Sequence, residues 1–465
     1  MRENRALILG LGRFGGGVAA AAFLSNRGRR LRIADRAPSE QLSESVQALR
    51  NVPGIEWALG REDPSLLDDV DLLVCNPSIP PGHPLLTDAA ARGVRVTQEV
   101  NLFLESYPGK IVAVTGTNGK STTADLLARA LNRSGIDSLL GGNIGHSLLL
   151  EQRRWKARQV AVLEISSAQL DRVDPDRHRV EGAVFTRITH DHLDWHGTLT
   201  GYHAAKSRAA AMADNFVVYP DGDLVAERMK HGARQTVCYG TKPSSLVRQS
   251  GTCLSSDLAG DPGPILDTSA LRLTGDFQAE NVMAAFAAAS LVGGSRHPVA
   301  LALTTSTPLP FRLQLAAAVA GRRIYDNSVS TQVESTLSAL RNLPGCVHWV
   351  GGGKSKDNRY LEPGRLLSDS VTTAHLFGSS APRLGPVMSA NVTTTVHDGL
   401  EAALDAAWTE SKEGDTILFS PAFASFDQFP NFALRAARFE TWVRKLQAHY
   451  RISPSSTADG SGPAG

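Results

Sequence analysis

The chain has 465 residues, 42% of them hydrophobic and 20% charged, with a formal net charge of +2. That length exceeds one ordinary hydrophobic core and predicts roughly two to four domains. A near-neutral balance without a dense Lys/Arg run argues against a dedicated nucleic-acid binder, and no apolar run reaches membrane-spanning length. Cys75, Cys238, Cys253 and Cys346 are scattered without CxxC or zinc spacing and read as reduced thiols. The amino terminus enters a strand within about five residues, with no basic leader or cleavage site; the expected compartment is the cytoplasm.

Residues 5–36 read as a strand over Ala6–Leu9, the glycine pattern Gly10-x-Gly12-x-x-Gly15, an alanine-rich helix, and a second strand over Leu31–Ala34 ending at Asp35. This is a Rossmann fingerprint with its acidic residue. Its default ligand is NAD. Another nucleotide diphosphate competes, because the loop recognises pyrophosphate and not nicotinamide. A strand over Asp71–Cys75 then leads into Asn76-Pro77-Ser78-Ile79-Pro80-Pro81-Gly82, a stiff loop where ligands of open α/β sheets sit. Gly93–Leu104 closes this first domain, and Pro108-Gly109 marks its boundary.

The second domain opens on IVAVTGTNGKSTT, residues 111–123. A β-branched strand breaks at Thr115-Gly116-Thr117-Asn118-Gly119, and Lys120-Ser121-Thr122-Thr123 begins a helix. The loop amides and the helix start suit a phosphate, Lys120 neutralises its charge, and the Ser121 hydroxyl is placed for Mg²⁺. Gly141-Gly142-Asn143-Ile144-Gly145 forms a second glycine-rich loop. Predicted strands over Gln159–Leu163 and Gly182–Ile188 end at Glu164-Ile165-Ser166-Ser167-Ala168-Gln169-Leu170 and at Thr189-His190-Asp191-His192. Both deliver polar groups to one sheet edge. Glu164 reads either as a Mg²⁺ ligand or as a surface carboxylate, and the histidine cluster, lacking cysteines, reads as an oxygen-rich Mg²⁺ site with one imidazole. Lys206 by itself reads as a solvated helix lysine. Residues 216–273 show short strands and turns with little chemistry, and a long helix follows Leu273–Asn281.

From about Pro308 the pattern resets. Arg312 follows a Pro-Leu-Pro-Phe bend, and strands over Arg323–Tyr325, His348–Val350, Ala374–Phe377 and Thr416–Phe419 each end in a polar or glycine-rich loop. The expected fold is α/β in three domains: Rossmann-like over 1–108, P-loop ATPase-like over 109–307, and Rossmann-like over 308–451. Residues 452–465 have the composition of a disordered tail.

TGTNGKST (115–122), GGNIG (141–145), EISSAQL (164–170), HDHLDWHG (190–197) with Lys206, and SPAFASFDQFPNF (420–432), in this order, resemble the Mur ligase family and, within it, the glutamate-adding branch. The resemblance spans residues 5–446. It implies ATP and Mg²⁺ as cofactors, and UDP-N-acetylmuramoyl-L-alanine and glutamate as co-substrates of a monomeric enzyme with no nucleic-acid or membrane partner. Gly12, Arg13, Phe14 and Asp35, with Asn143, Ser166 and Gln169, would meet the UDP-substrate, Asp35 lying near the uracil. ATP would be held by Gly116, Thr117, Asn118, Gly119, Lys120, Ser121 and Thr122, with Asn281 at the adenine and Arg312 and Asp326 as further nucleotide contacts. Ser121, Glu164, His192 and a carbamylated Lys206 would ligate Mg²⁺; Lys120, Glu164, His192 and Lys206 form the catalytic set. Ser330, Lys354, Ser425 and Phe432 would hold glutamate. Domain closure would need mobile linkers near 108 and 308.

Several positions depart from the family pattern. Asp326-Asn327-Ser328-Val329-Ser330-Thr331 stands where DSKATN is usual, Ala168 replaces an aromatic, Ala436 replaces a glycine after Arg435, and Gly275-Asp276-Phe277-Gln278-Ala279-Glu280-Asn281 replaces GxHNxxN. A pocket for the other enantiomer has to relocate its cations and hydroxyls, so these changes lead to an expectation of L-glutamate, with a downstream epimerase; D-glutamate is the alternative. An NAD-dependent oxidoreductase leaves the second phosphate loop unexplained, a folate- or cyanophycin-type ligase does not account for the first domain, and a non-catalytic nucleotide-gated protein does not account for the retained Lys120, Glu164, His192 and Lys206.

Overall fold

The computed structural model describes residues 4–12, 15–189, 193–229, 233–260, 262–273, 275, 277–341, 343–355 and 360–452. Three sheets carry the chain. The first contains β1 (Arg5–Leu9), β2 (Arg30–Asp35), β3 (Ile55–Leu59), β4 (Leu72–Cys75) and β5 (Arg95–Thr97), all parallel, in the order β3-β2-β1-β4-β5. The order reverses between β1 and β4, which opens a crevice beyond their carboxyl ends.

The central sheet contains β6 (Lys110–Thr115), β7 (Ser138–Gly142), β8 (Val160–Glu164), β9 (Val180–Phe185), β10 (Ala213–Pro220), β11 (Gln235–Gly240), β12 (Val247–Ser250), β13 (Cys253–Ser256) and β14 (Gly263–Asp267). Its order is β14-β13-β12-β11-β10-β9-β6-β8-β7, antiparallel only among β12, β13 and β14. Ile111, Val112, Ala113 and Val114 are all buried, as a strand covered on both faces requires. The helix Phe277–Val292 buries every residue from Ala284 to Ala289, and the five alanines flanking Phe286 combine high helix propensity with close packing.

The third sheet contains β15 (Gln314–Val319), β16 (Arg322–Asp326), β17 (Val347–Gly352), β18 (Thr373–Phe377), β19 (Thr393–His397) and β20 (Thr416–Ala422), in the order β15-β16-β20-β17-β18-β19, antiparallel only at β15. The final helix, Phe432–Ile452, packs Phe439 on Phe419 with ring centroids 4.8 Å apart. The proposed tail beyond it lies outside the described residues.

Contacts divide the chain into two compact units, one running to Leu271 with Phe277–Ser306, the other made of Arg272–Asp276 and the chain from Thr307 onward. The joint near 108 is packed. Trp155 meets Phe103 and Tyr107 edge-on, with centroids 5.5 and 5.6 Å away, and one apolar cluster runs from Ile8 through Phe103 to Ala113. A Cβ on Gly109 would lie 2.4 Å from the Gln159 carbonyl oxygen. A hinge there has to break these contacts, whereas the expected linker near 308 falls where the two units divide. No described helix is long and apolar enough to cross a membrane.

Candidate active site

The phosphate loop is held in one shape by its neighbours. Gly116, at φ +150°, leaves no room for a side chain, since a Cβ would overlap the Thr186 hydroxyl. Gly119 caps the helix Lys120–Arg133 in the left-handed region, φ +86°, and a Cβ there would lie 2.4 Å from Asn281 Oδ1. Thr117 turns inward: its amide donates to the Arg187 carbonyl at 2.9 Å, and its hydroxyl lies 2.7 Å from that of Tyr202. Lys120 Nζ donates to the Thr117 carbonyl at 2.7 Å. Ser121 and Thr122 are buried in the first helical turn.

Three strand ends meet beside this loop. In the pairing register Val114 of β6 lies next to Glu164 of β8, and Gly142 of β7 lies on the other side of Glu164. Glu164 is 1% exposed. Its Oε1 accepts the Asn143 amide at 3.0 Å, while Oε2 is buried with no hydrogen-bond partner among the described residues. A buried carboxylate oxygen left open in this way is costly unless a cation or donor completes it. Lys206 is not the solvated lysine its helix suggests. It is buried, and Nζ donates to the Gly116 carbonyl at 2.7 Å, which ties the helix Leu199–Met212 to the loop.

Asn281 braces the loop from the opposite side. Its Oδ1 accepts the Thr123 hydroxyl at 3.2 Å, and its Nδ2 donates to Gln278 Oε1 at 3.0 Å. Ser166 and Gln169 form a capping box at the short helix Ser167–Leu170, so their side chains hold that helix start. Asp223 escaped the sequence reading. It accepts the Ile188 amide at 2.7 Å and so holds the segment that follows β9; the Asp221-Gly222-Asp223 turn at a strand end was the available signal. His192, like Arg13 and Phe14, lies outside the described residues.

In the first sheet, Asp35 Oδ2 accepts the Gly12 amide at 3.0 Å and Oδ1 accepts the Ala37 amide at 2.9 Å. The acidic residue of the fingerprint thus fixes the glycine loop. Gly10 is pressed against Asn76, whose Cβ would be 2.8 Å from an added one, and Asn76 Nδ2 donates to the Gly10 carbonyl.

The third sheet gathers its own polar edge. Asp326, at the end of β16, is buried, and burial pushes its carboxyl up to about 6 even though the Ser328 amide and hydroxyl both donate to Oδ1. Ser330 is buried too: its hydroxyl lies 2.9 Å from Thr336 Oγ1, which lies 2.7 Å from Ser420 Oγ. Lys354 is exposed, and its backbone bridges to Ala424 beside buried Ser425. Phe432 opens the last helix half-buried, and Arg312 lies in the bend before β15. Two features were not foreseen. Ala422 adopts φ +64° at the end of β20, a left-handed conformation that strains an alanine and turns the chain toward Ser425. Arg435 is fully buried, with Nη1 donating to the Phe423 carbonyl at 3.0 Å and Nε and Nη2 without a hydrogen-bond partner among the described residues; burial pushes it down to about 10.

A rigid anion loop with a lysine, a buried lysine and an open carboxylate oxygen at adjacent strand ends is phosphoryl-transfer architecture, and it defines the class as a nucleotide-using α/β enzyme. The profile of the Mur ligase middle domain matches residues 114–289, and that of the Mur ligase MurD-like N-terminal domain matches residues 4–98. Two relatives named UDP-N-acetylmuramoylalanine--D-glutamate ligase align over 96% of this chain and 98% of their own. The one from Geobacillus kaustophilus is 34% identical, that from Koribacter versatilis 31%. Among solved structures, the UDP-N-acetylmuramate-alanine ligase of Thermotoga maritima superposes with a TM-score of 0.62 at 17% identity, covering 96% of this chain and 99% of that one. The chain belongs to the Mur ligase family, the ATP-dependent amide-bond ligases of peptidoglycan synthesis, and is a glutamate ligase within it. The NAD-dependent oxidoreductase is set aside by the match over residues 4–98.

Proposed function

We propose that this enzyme joins D-glutamate to the alanine carboxylate of UDP-N-acetylmuramoyl-L-alanine, using ATP to form an acyl phosphate. The observation that carries the chemistry is the open Glu164 oxygen beside the phosphate loop and Lys206. A carboxylate is a poor electrophile, and phosphorylation converts it into one that the glutamate amine attacks, phosphate then leaving from a tetrahedral intermediate. Lys120 and the loop amides hold the transferring phosphoryl group.

Mg²⁺ fits the donor set: Ser121 and Glu164 would hold one ion, and His192 with a carbamylated Lys206 a second. Bound there, Mg²⁺ would offset the negative charge that collects on the phosphoryl oxygens. Carbamylation leaves Lys206 one N–H, enough to keep its bond to the Gly116 carbonyl. The fingerprint loop around Gly12, Arg13, Phe14 and Asp35 would take the UDP end, with Asn143, Ser166 and Gln169 near the muramoyl peptide. Asn281, Arg312 and Asp326 would serve the nucleotide, and Ser330, Lys354, Ser425 and Phe432 the glutamate. The domain limits 1–108, 109–307 and 308–451 are part of this reading.

Two considerations support D-glutamate over the L-glutamate expected from the departures. The relatives reported above are named for D-glutamate. The divergent Ser328, standing where the family carries a lysine, also points inward, its amide and hydroxyl committed to Asp326. The test is phosphate release from ATP with UDP-N-acetylmuramoyl-L-alanine and each enantiomer. Turnover with D-glutamate alone is expected; turnover with L-glutamate alone overturns the stereochemical choice, and silence with both overturns the substrate assignment.

A further inference from the structure

Away from the glutamate-proposed edge, three histidines line one face of the third sheet: His348 on β17, His375 on β18 and His397 on β19. His348 lies four residues before Gly352, about 13 Å along the strand from the end that leads to Lys354. The helix Leu400–Glu410 covers this face, its Leu400, Ala403, Leu404 and Ala407 packing with Val350 and Phe377, and its last residue, Glu410, reaches the histidines.

The ring nitrogens are arranged in two sets. His348 Nε2 is 3.1 Å from Asp415 Oδ2. A carboxylate only accepts, so Nε2 carries the hydrogen and Nδ1 presents a lone pair in the neutral ring. That Nδ1 lies 2.8 Å from Thr373 Oγ1, which lies 2.9 Å from His375 Nε2. Thr373 therefore stands between two nitrogens with a single proton to give. His375 Nδ1, the outward nitrogen, is 3.1 Å from Thr395 Oγ1. Glu410 Oε2 approaches His375 Nε2 at 3.6 Å. One ligand atom from each of His348, His375 and Glu410 lies within 4.8 Å of the others.

We propose that His348, His375 and Glu410 form a binding site for a divalent transition-metal ion, with Zn²⁺ the ion their ligand set favours. Two imidazoles and a carboxylate suit zinc better than Mg²⁺ or Ca²⁺, which take oxygen. Each imidazole turns one nitrogen inward and has the other held by an oxygen, Asp415 for His348 and Thr395 for His375. That is the outer arrangement metal-bound histidines use to fix their ring orientation. The Thr395 hydroxyl can accept from His375 Nδ1–H and donate to His397 Nε2, 2.8 Å away, so His375 can turn its Nε2 lone pair inward without orphaning a group. A tetrahedral zinc site spaces its ligands by about 3.3 Å, so a cluster whose ligand atoms lie up to 4.8 Å apart has to contract by up to about 1.5 Å. Glu410, at a helix end with its side chain 37% exposed, has the room to close that gap and opens a path from solvent.

The test uses the full chain, stripped with chelator and dialysed against buffered Zn²⁺, with bound metal read by mass spectrometry and Co²⁺ absorption reporting coordination. About one zinc per chain is expected, with a tetrahedral cobalt spectrum. Glu410→Gln should weaken binding on the order of tenfold or more, and His348→Gln should weaken it further. Glu410→Gln sits at the surface and should leave folding and Mg²⁺-supported ligation unchanged, so it keeps the test decisive where His348→Gln fails to fold. No stoichiometric zinc in the parent chain overturns the proposal. So does zinc binding that Glu410→Gln leaves unaltered, which would put the ion elsewhere, including the histidines around 190–203.

Discussion

The Asp326 carboxyl gives the sharpest physical test of the third sheet. Burial raises it from 3.8 to about 6, and at roughly 1.4 kcal/mol per tenfold change this corresponds to a penalty of about 3 kcal/mol for the ionised folded state. The folded chain binds the extra proton, so this contribution to stability is fully present below pH 3.8 and is lost as pH rises through about 6. Asp326→Asn keeps an oxygen to accept from Ser328 and removes the charge. An amide left unpaired by the change costs about 1–3 kcal/mol, but that cost does not vary with pH. The pH dependence is therefore the signature. About 1.4 kcal/mol of the variant's relative gain should appear between pH 5 and pH 7.5. Native-state hydrogen exchange of the Ile324 and Tyr325 amides in β16 measures it locally, free of the other domains. A stability difference that stays constant across that range would falsify the buried, proton-retaining Asp326.

Gly119→Ala should disable nucleotide binding, because the added Cβ meets Asn281 Oδ1 at 2.4 Å and φ +86° costs an alanine about 1–2 kcal/mol. Calorimetric titration with ATP reads this, and near-parental affinity sinks the account of the loop. Glu164→Gln keeps the hydrogen bond to Asn143 but removes the charge; turnover should fall on the order of 100-fold, with a higher Mg²⁺ requirement. A Mg²⁺ profile identical to the parent's refutes the ligand role. Lys206→Ala should lose ligation and regain part of it with formate or acetate if the lysine acts as a carbamate. Activity that survives the substitution removes Lys206 from the catalytic set.

The parts of the fold legible in the sequence are those where backbone geometry dictates residue type. Gly10, Gly12, Gly15 and Gly119 all sit at positive φ, and the apolar strands before them are buried on both faces, so pattern and conformation agree. The β11–β14 extension was harder to read because its strands are short and carry polar residues toward a sheet edge. Arg248 and Gln249 leave little periodicity to detect. Ala422 offered no signal either: its left-handed backbone is imposed by β20 and the loop beyond, at a residue type that ordinarily avoids it. Asn281 and Gln169 were legible as important but not in what they touch. A polar side chain at a helix start serves a ligand or its own backbone equally well, and only packing decides.

Ser328 shows why counting departures from a motif is a weak guide to specificity. In the sequence its place in Asp326–Thr331 looks like a cation removed from a pocket. In the fold it is wholly buried, and its amide and hydroxyl both donate to Asp326 Oδ1. The substitution therefore acts first on Asp326 and not on glutamate. Two neutral donors pull the carboxyl down less than burial pushes it up, which leaves it at about 6. A lysine ammonium within about 4–6 Å would lower it by roughly 1–3 pH units. In losing the family's lysine, this chain gains a buried carboxyl at the end of β16 that titrates at about 6, and the consequence to look for is in pH dependence before it is in the choice of enantiomer.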